Sequence, residues 1–224
     1  MRLRILPLLL AIAATAGCAT TPSPRSTAPT SASGAAASAG ARRSADAPLS
    51  TTALHKLLLT RTDLGPDYVA APASSGSSQA ISPADCPALA QLAEHAEGPF
   101  TSAHRVTTAF QHNGAPGTPI TEELYSDRGD RLSRAADQLF AAFRSCSKFT
   151  LGATTSVRVR AASAPSRLGT ERWGHSLIIH AATGTSEVTQ FAVRCGTVLV
   201  MLSAPSETAL RHLPQAVDRV GCAA

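Results

Sequence analysis

Five cysteines, at positions 18, 86, 146, 195 and 222, constrain this chain more than any other feature. Cys18 closes the N-terminal stretch MRLRILPLLLAIAATAGC, and the other four lie far downstream. If Cys18 has a separate role, an even set remains. An even set in an exported chain implies disulfides, here two, with three connectivities open. The spacing contains no CxxC pair and no zinc-type pattern. The preferred pairing is Cys86–Cys146 with Cys195–Cys222, because each loop is the shortest available and each bridge would tie a helix end to a neighbouring element. In the chain-entropy picture the two loops contribute about 4 and 3.5 kcal/mol. That is a large share of a total stability of roughly 5–15 kcal/mol.

The residues before Cys18 supply the separate role. Arg2 and Arg4 make a positive start, Ile5 to Ala14 an apolar run, and Thr15, Ala16 and Gly17 a small-residue exit. An apolar run of about ten residues is half the length a bilayer core requires. The pattern is that of a secretory signal peptide over 1–17. A cysteine directly after the small residues resembles a bacterial lipobox, with Thr15 where leucine is usual. The resemblance implies cleavage before Cys18, a diacylglycerol on its thiol and palmitate-type acyl chains. Two acyl chains suffice for stable anchoring, so the expected location is extracytoplasmic, on the outer face of the cell membrane.

Residues 18–49 are rich in Ala, Ser, Thr, Gly and Pro and contain no aromatic residue. Such a segment buries too little apolar surface to offset the entropy of ordering, so a disordered tether is expected. As a flexible coil it reaches roughly 30 Å. The tether also corrects the charge balance. The formal +5 of the whole chain includes Arg2 and Arg4 of the leader, and Arg25, Arg42 and Arg43 of the tether against Asp46 alone. Residues 50–224 retain 15 basic and 14 acidic side chains, a net +1. A nucleic-acid partner, which needs a concentrated basic surface, is therefore not expected.

Residues 50–224 are expected to form one domain with a single core. Leu54 to Thr60 reads as a short helix ending before Gly65-Pro66. The stretch SPADCPALAQLAEHAEG carries a helix start, with Asp85 as cap and Pro87 in the first turn. HRVTTAFQH and ITEELYS read as strands, the second with a less clean alternation. DRLSRAADQLFAAFRSC is the strongest helix, its Leu132, Ala135, Ala136, Leu139, Phe140 and Phe143 keeping one face. The period then changes to two: TTSVRVRAAS, ERWGHSLIIHA, SEVTQFAVRC and GTVLVMLSA read as a meander of strands, the last two central. SETALRHLPQAVDRVGC closes the chain as a helix with Leu210, Leu213, Val217 and Val220 inward, and Pro214 as a point of kinking. Five to six strands, antiparallel, covered by helices, make an α+β fold.

The order of a Leu-rich helix, an "ADCPALA" helix start, a helix ending "FAAFRSCSKF", a four-strand meander and a terminal helix with Cys222 resembles a known family. It is similar to the extracellular sensor domain of PknH-type receptor kinases, with free-standing lipoprotein relatives in actinobacteria. The resemblance implies a twisted antiparallel sheet, two disulfides and a large cleft for an unidentified ligand. This chain shows no kinase segment. The excess of Arg over Lys, 18 against 2, agrees with a high-GC actinobacterial source.

Catalytic motifs are scarce. Gly174-His175-Ser176 begins like a nucleophile elbow, but Ile178 occupies the second glycine position. Ser145 to Lys148 matches SxxK, yet it contains Cys146 and has no companion motif. His104 and His112 share a strand face about 26 Å apart, and His175 and His180 fall on opposite faces; no metal and no cofactor are expected. Glu122, Glu123 and Asp127 read as solvated charges. Trp173 offers a surface on which a ligand could stack. Arg158 and Arg160, alternating with Val157 and Val159, project from one sheet face and could receive an anion; Tyr125 completes the set of ligand candidates.

The expected function is a cell-envelope lipoprotein whose sensor-like domain binds a small molecule or a cell-wall component and is not an enzyme. The alternatives are an envelope hydrolase whose residues converge only in three dimensions, and an adaptor for an envelope protein partner.

Overall fold

The structure, a computed structural model, describes residues 47–72, 85–93, 98–101, 103–113 and 117–222. The leader, the lipidation site, most of the tether and the polar loop at 74–80 lie outside the described residues. The elements, in chain order, are helices α1 (Thr51–His55) and α2 (Arg61–Leu64), strand β1 (Tyr68–Ala70), helix α3 (Pro87–Ala93) and a 3-10 turn at Gly98–Phe100. Strands β2 (His104–His112) and β3 (Ile120–Ser126) follow, then helix α4 (Gly129–Ser145). Strands β4 (Lys148–Leu151), β5 (Thr155–Ala161), β6 (Glu171–Ala181), β7 (Gly184–Cys195) and β8 (Val198–Ala204) precede the last helix, α5 (Ser206–Arg219).

All the strands form one antiparallel sheet in the order β1-β2-β3-β8-β7-β6-β5-β4. The C-terminal meander runs β4 to β8 without a break, and β8 then pairs with β3 to join the N-terminal hairpin. Among the described residues the sheet has eight strands, not five to six. The two additions, β1 and β4, are three and four residues long, too short to display a period. They are strands because β2 and β5 offer them ladder partners.

Helices cover both faces of the central strands. On one face α1, α2 and α5 pack over Val106, Phe110, Ile120, Leu124, Phe191, Val200 and Leu202. On the other, α4 and the 3-10 turn pack over Tyr125, Ala192, Leu199 and Met201, and α3 joins α4 over Phe149 and Val157. Burial on both sides explains why β8 is apolar at five consecutive positions: a strand with no wet face has no reason to alternate.

Two helices differ from the sequence expectation. The first region holds two helices rather than one over Leu54 to Thr60. Ser50 caps α1 by accepting from the Ala53 N–H at 3.3 Å, and Thr60 with Asp63 starts α2. Helix α5 turns Ala209, His212, Leu213, Ala216 and Val217 inward, leaving Leu210 43% exposed. Leu210 lies about 100° round the helix from Ala209, so small Ala209 rather than Leu210 meets the sheet. The helix continues through Pro214.

The disulfides are Cys86–Cys146 and Cys195–Cys222, the preferred pairing. The first joins the start of α3 to the end of α4; the second joins the end of β7 to the segment after α5. Each clamps a covering helix to what it packs against.

Candidate functional site

The four ligand candidates occupy two sides of the sheet. Tyr125 and Trp173 belong to the α4 face. Tyr125 is buried, its ring 4.4 Å from that of Phe100 and its hydroxyl donating to Glu123 Oε2 at 2.7 Å. Burial and the Glu123 carboxylate push its phenol further above the usual range. Trp173 is half-buried against α4, where its indole N–H donates to Asp137 Oδ1 at 2.8 Å. Strands β8 and β7 separate Tyr125 from Trp173, a gap of about 14 Å at the ordinary strand spacing. Arg158 and Arg160 project from the opposite face, both exposed. The structure therefore brings the two arginines together and keeps them away from the two aromatics.

A different set of residues forms a concavity. Helices α3 and α4 leave between them a groove of about 630 Å³, lined by Ala88, Gln91, Leu92, Gln138, Ala141, Ala142 and Ser145. Its floor is small because alanines 141 and 142 stand where bulkier residues would close it. Among the described residues its polar rim is two amides and a hydroxyl, with no ionisable side chain. The Cys86–Cys146 bridge holds the two helices at one end. The volume lies in the range of small-molecule sites. Sequence reading missed this groove because Gln91 and Gln138 stand on different helices, and only the packing of α3 on α4 makes them neighbours.

Among the described residues the buried ionisable side chains are Glu122, Tyr125, Asp127, His175 and His212, none of them lining the groove. Glu122 on β3 is 1% exposed, which corrects the expectation of a solvated charge; Asp127, 7% exposed, departs from it in the same way. Glu122 shares its face with Ile120 and Leu124, and α1 and α5 close over that face. Its Oε2 accepts from the Leu59 N–H at 2.6 Å, while Oε1 has no hydrogen-bond partner among the described residues. Burial raises its carboxyl to about 7, against the smaller opposing effects of the Leu59 N–H and Arg219. His175 on β6 is fully buried on the other side of the sheet, 5.0 Å from the Phe140 ring and 4.2 Å from that of Phe143. Neither of its ring nitrogens has a partner among the described residues, and burial lowers its imidazole to about 4.

The remaining motifs have structural roles. Gly174 sits within β6 because a side chain there would strike its neighbours: a Cβ would lie 2.7 Å from the Ala162 carbonyl oxygen and 2.8 Å from the Phe191 ring. Ser176 shares a hydrogen bond at 2.6 Å with Thr189 across the ladder. Cys146 of the SxxK match is disulfide-bonded. His104 and His112 stand at the two ends of β2. Among the described residues no three metal-ligating side chains converge, and no described helix is long and apolar enough to cross a membrane.

No protein-family model matches the chain, and no curated protein is similar to it in sequence. Two solved structures are similar in shape. An uncharacterised protein from Mycobacterium smegmatis is 18% identical, covering 78% of this chain and 97% of its own, with a TM-score of 0.42. The extracellular domain of PknH from Mycobacterium tuberculosis is 12% identical, covering 79% of this chain and 98% of its own, with a TM-score of 0.58. An identity that low speaks for architecture alone. The antiparallel sheet with helices on both faces is the fold of the PknH extracellular domain.

Proposed function

We propose that this chain is an extracytoplasmic, lipid-anchored domain that captures a small, uncharged, hydrogen-bonding envelope molecule and catalyses no reaction. Residues 1–17 direct export, 18–49 carry the lipid on Cys18 and act as a tether, and 50–224 form the binding domain. The observation that carries the reading is the α3–α4 groove, whose amides and hydroxyl suit polar uncharged groups and whose alanines suit an apolar surface. A non-catalytic role agrees with the placement of the carboxyl and the imidazole that burial shifts furthest. Glu122 and His175 lie on opposite faces of the sheet, and acid–base chemistry needs its groups within reach of one reacting atom. The PknH-like fold supports an extracellular setting by analogy only.

Native mass spectrometry of the protein purified from its own envelope tests this. A retained adduct is expected on the wild-type domain and is expected to disappear from Ala141→Trp, which fills the groove from an exposed position of α4. An adduct that survives in Ala141→Trp, or none at all on the wild type, defeats the assignment.

A further inference from the structure

We infer that the uncovered end of the sheet is a docking face for the anionic headgroups of the bilayer. Helix α5 packs over β3, β7 and β8, and no described helix covers the same face of β4, β5 and β6. Lys148 on β4 and Arg158 on β5 are direct cross-strand partners there. Arg160 follows on the same face, about 7 Å along the strand. All three are exposed, and none of their side chains takes part in an ion pair or hydrogen bond among the described residues. Among the described residues the acidic groups near this face are Asp85, which shares a small recess with Lys148, and Glu187, opposite Ile178.

Like charges placed directly opposite each other weaken a sheet, so stability does not account for the Lys148–Arg158 pair. The domain as a whole is close to neutral, at +1 over residues 50–224, yet three cations gather on one uncovered strand surface. The neighbouring positions on this face are Thr150, Ser156 and Ile178, and the small recess at its edge that Lys148 and Thr150 line is shared with the carboxylate of Asp85. An extended negative surface is the complement of such a face. The tether adds Arg25, Arg42 and Arg43 against one acid, charges of the same sign. Docked this way, the domain turns the α3–α4 groove, on the other side of the sheet, away from the bilayer. The inference rests on the proposed anchor only for the nearness of the membrane, which a tether reaching roughly 30 Å supplies.

The test uses the chain from residue 18 onward with Cys18→Ser, so that no acyl chain contributes and the anchor assignment can fail separately. It is sedimented with vesicles of equal parts phosphatidylglycerol and phosphatidylcholine, and with vesicles of phosphatidylcholine alone. Preference for the anionic vesicles is expected. Adding K148Q, R158Q and R160Q should lower partitioning about a hundredfold at low salt, from roughly fivefold per cation. The control K56Q, R144Q and R211Q removes the same charge from exposed positions elsewhere and should lose less than about a tenth of that factor. Urea unfolding of the first triple variant should show no loss of stability, because a repulsion has been relieved. Equal losses in the two triple variants, or no preference for anionic vesicles, overturns the inference. So does a loss confined to soluble polyphosphate binding.

Discussion

The Glu122 carboxylate accepts a hydrogen bond from the Leu59 backbone N–H across 63 positions of chain. The same junction is held from a third element: Arg219 at the end of α5 donates to the carbonyls of Leu57 at 3.1 Å and Lys56 at 2.9 Å, and pairs with Asp63 at 3.2 Å. The connection between α1 and α2 is thus tied to the sheet by a buried acid and to the last helix by a cation. Of the groups facing Glu122, Asp63 raises its carboxyl and Arg219 lowers it, both less than burial does.

Glu122 and His175 give opposite pH dependences. Glu122 is raised from 4.5 to about 7 on folding. Its contribution is full below about 4.5 and is lost as pH rises through 7. His175 is lowered from 6.5 to about 4, so its contribution is full above about 6.5 and is lost as pH falls through 4. Between pH 4.5 and 6.5 the two slopes oppose each other, and the imidazole of His212, also lowered by burial, adds to the His175 side. Urea unfolding of the wild type should therefore vary less there than that of Glu122→Gln. Glu122→Gln should expose the His175 slope, losing on the order of 2–3 kcal/mol from pH 6.5 down to 4.5. His175→Phe should show the mirror image. Profiles parallel to wild type in both variants would remove Glu122 and His175 as the cause.

Breaking the bridges should cost unequal amounts. Cys195→Ala with Cys222→Ala opens a loop of 27 residues, worth about 3.5 kcal/mol, and Cys86→Ala with Cys146→Ala opens one of 60, worth about 4 kcal/mol. Denaturant midpoints measure both, and alkylation of the native, unreduced protein should label none of the four thiols. Labelling of any two would show that the clasps are absent in the protein as isolated.

Gly174→Val should destabilise the domain by about 1–3 kcal/mol or more, since the Ala162 carbonyl and the Phe191 ring already occupy the space. Gly152, in an open turn with nothing near its Cβ position, gives the comparison: Gly152→Asn should shift the thermal midpoint far less. Similar shifts for both would mean the close approach at Gly174 is relaxed in solution.

Cys18→Ser should release the protein from the membrane or leave it unprocessed. Fractionation with intact mass measurement decides it; undiminished membrane retention at the mature mass counts against the lipid anchor.

Much of this architecture was legible in the sequence because it depends on local period. The heptad-like spacing of Leu132, Ala135, Ala136, Leu139, Phe140 and Phe143 marked α4, and the runs from Thr155 to Ala204 marked the meander. The cysteine count gave two bridges, and loop length chose the pairing the structure has. Strands β1 and β4 escaped notice because three or four residues carry no period of their own.

Which face each residue meets was decided only in the tertiary structure. In ITEELYS the sets Ile120, Glu122, Leu124 and Thr121, Glu123, Tyr125 alternate equally well, and nothing local says that helices close over both. Glu122 is buried because α1 and α5, from opposite ends of the chain, meet above it. Gln91 and Gln138 line one groove because α3 packs on α4, while Arg158 and Trp173 part company because strand alternation sends them to opposite faces. Period is a property of neighbours in sequence; burial and convergence depend on contacts between segments far apart in the chain, and those exist only once the sheet has formed.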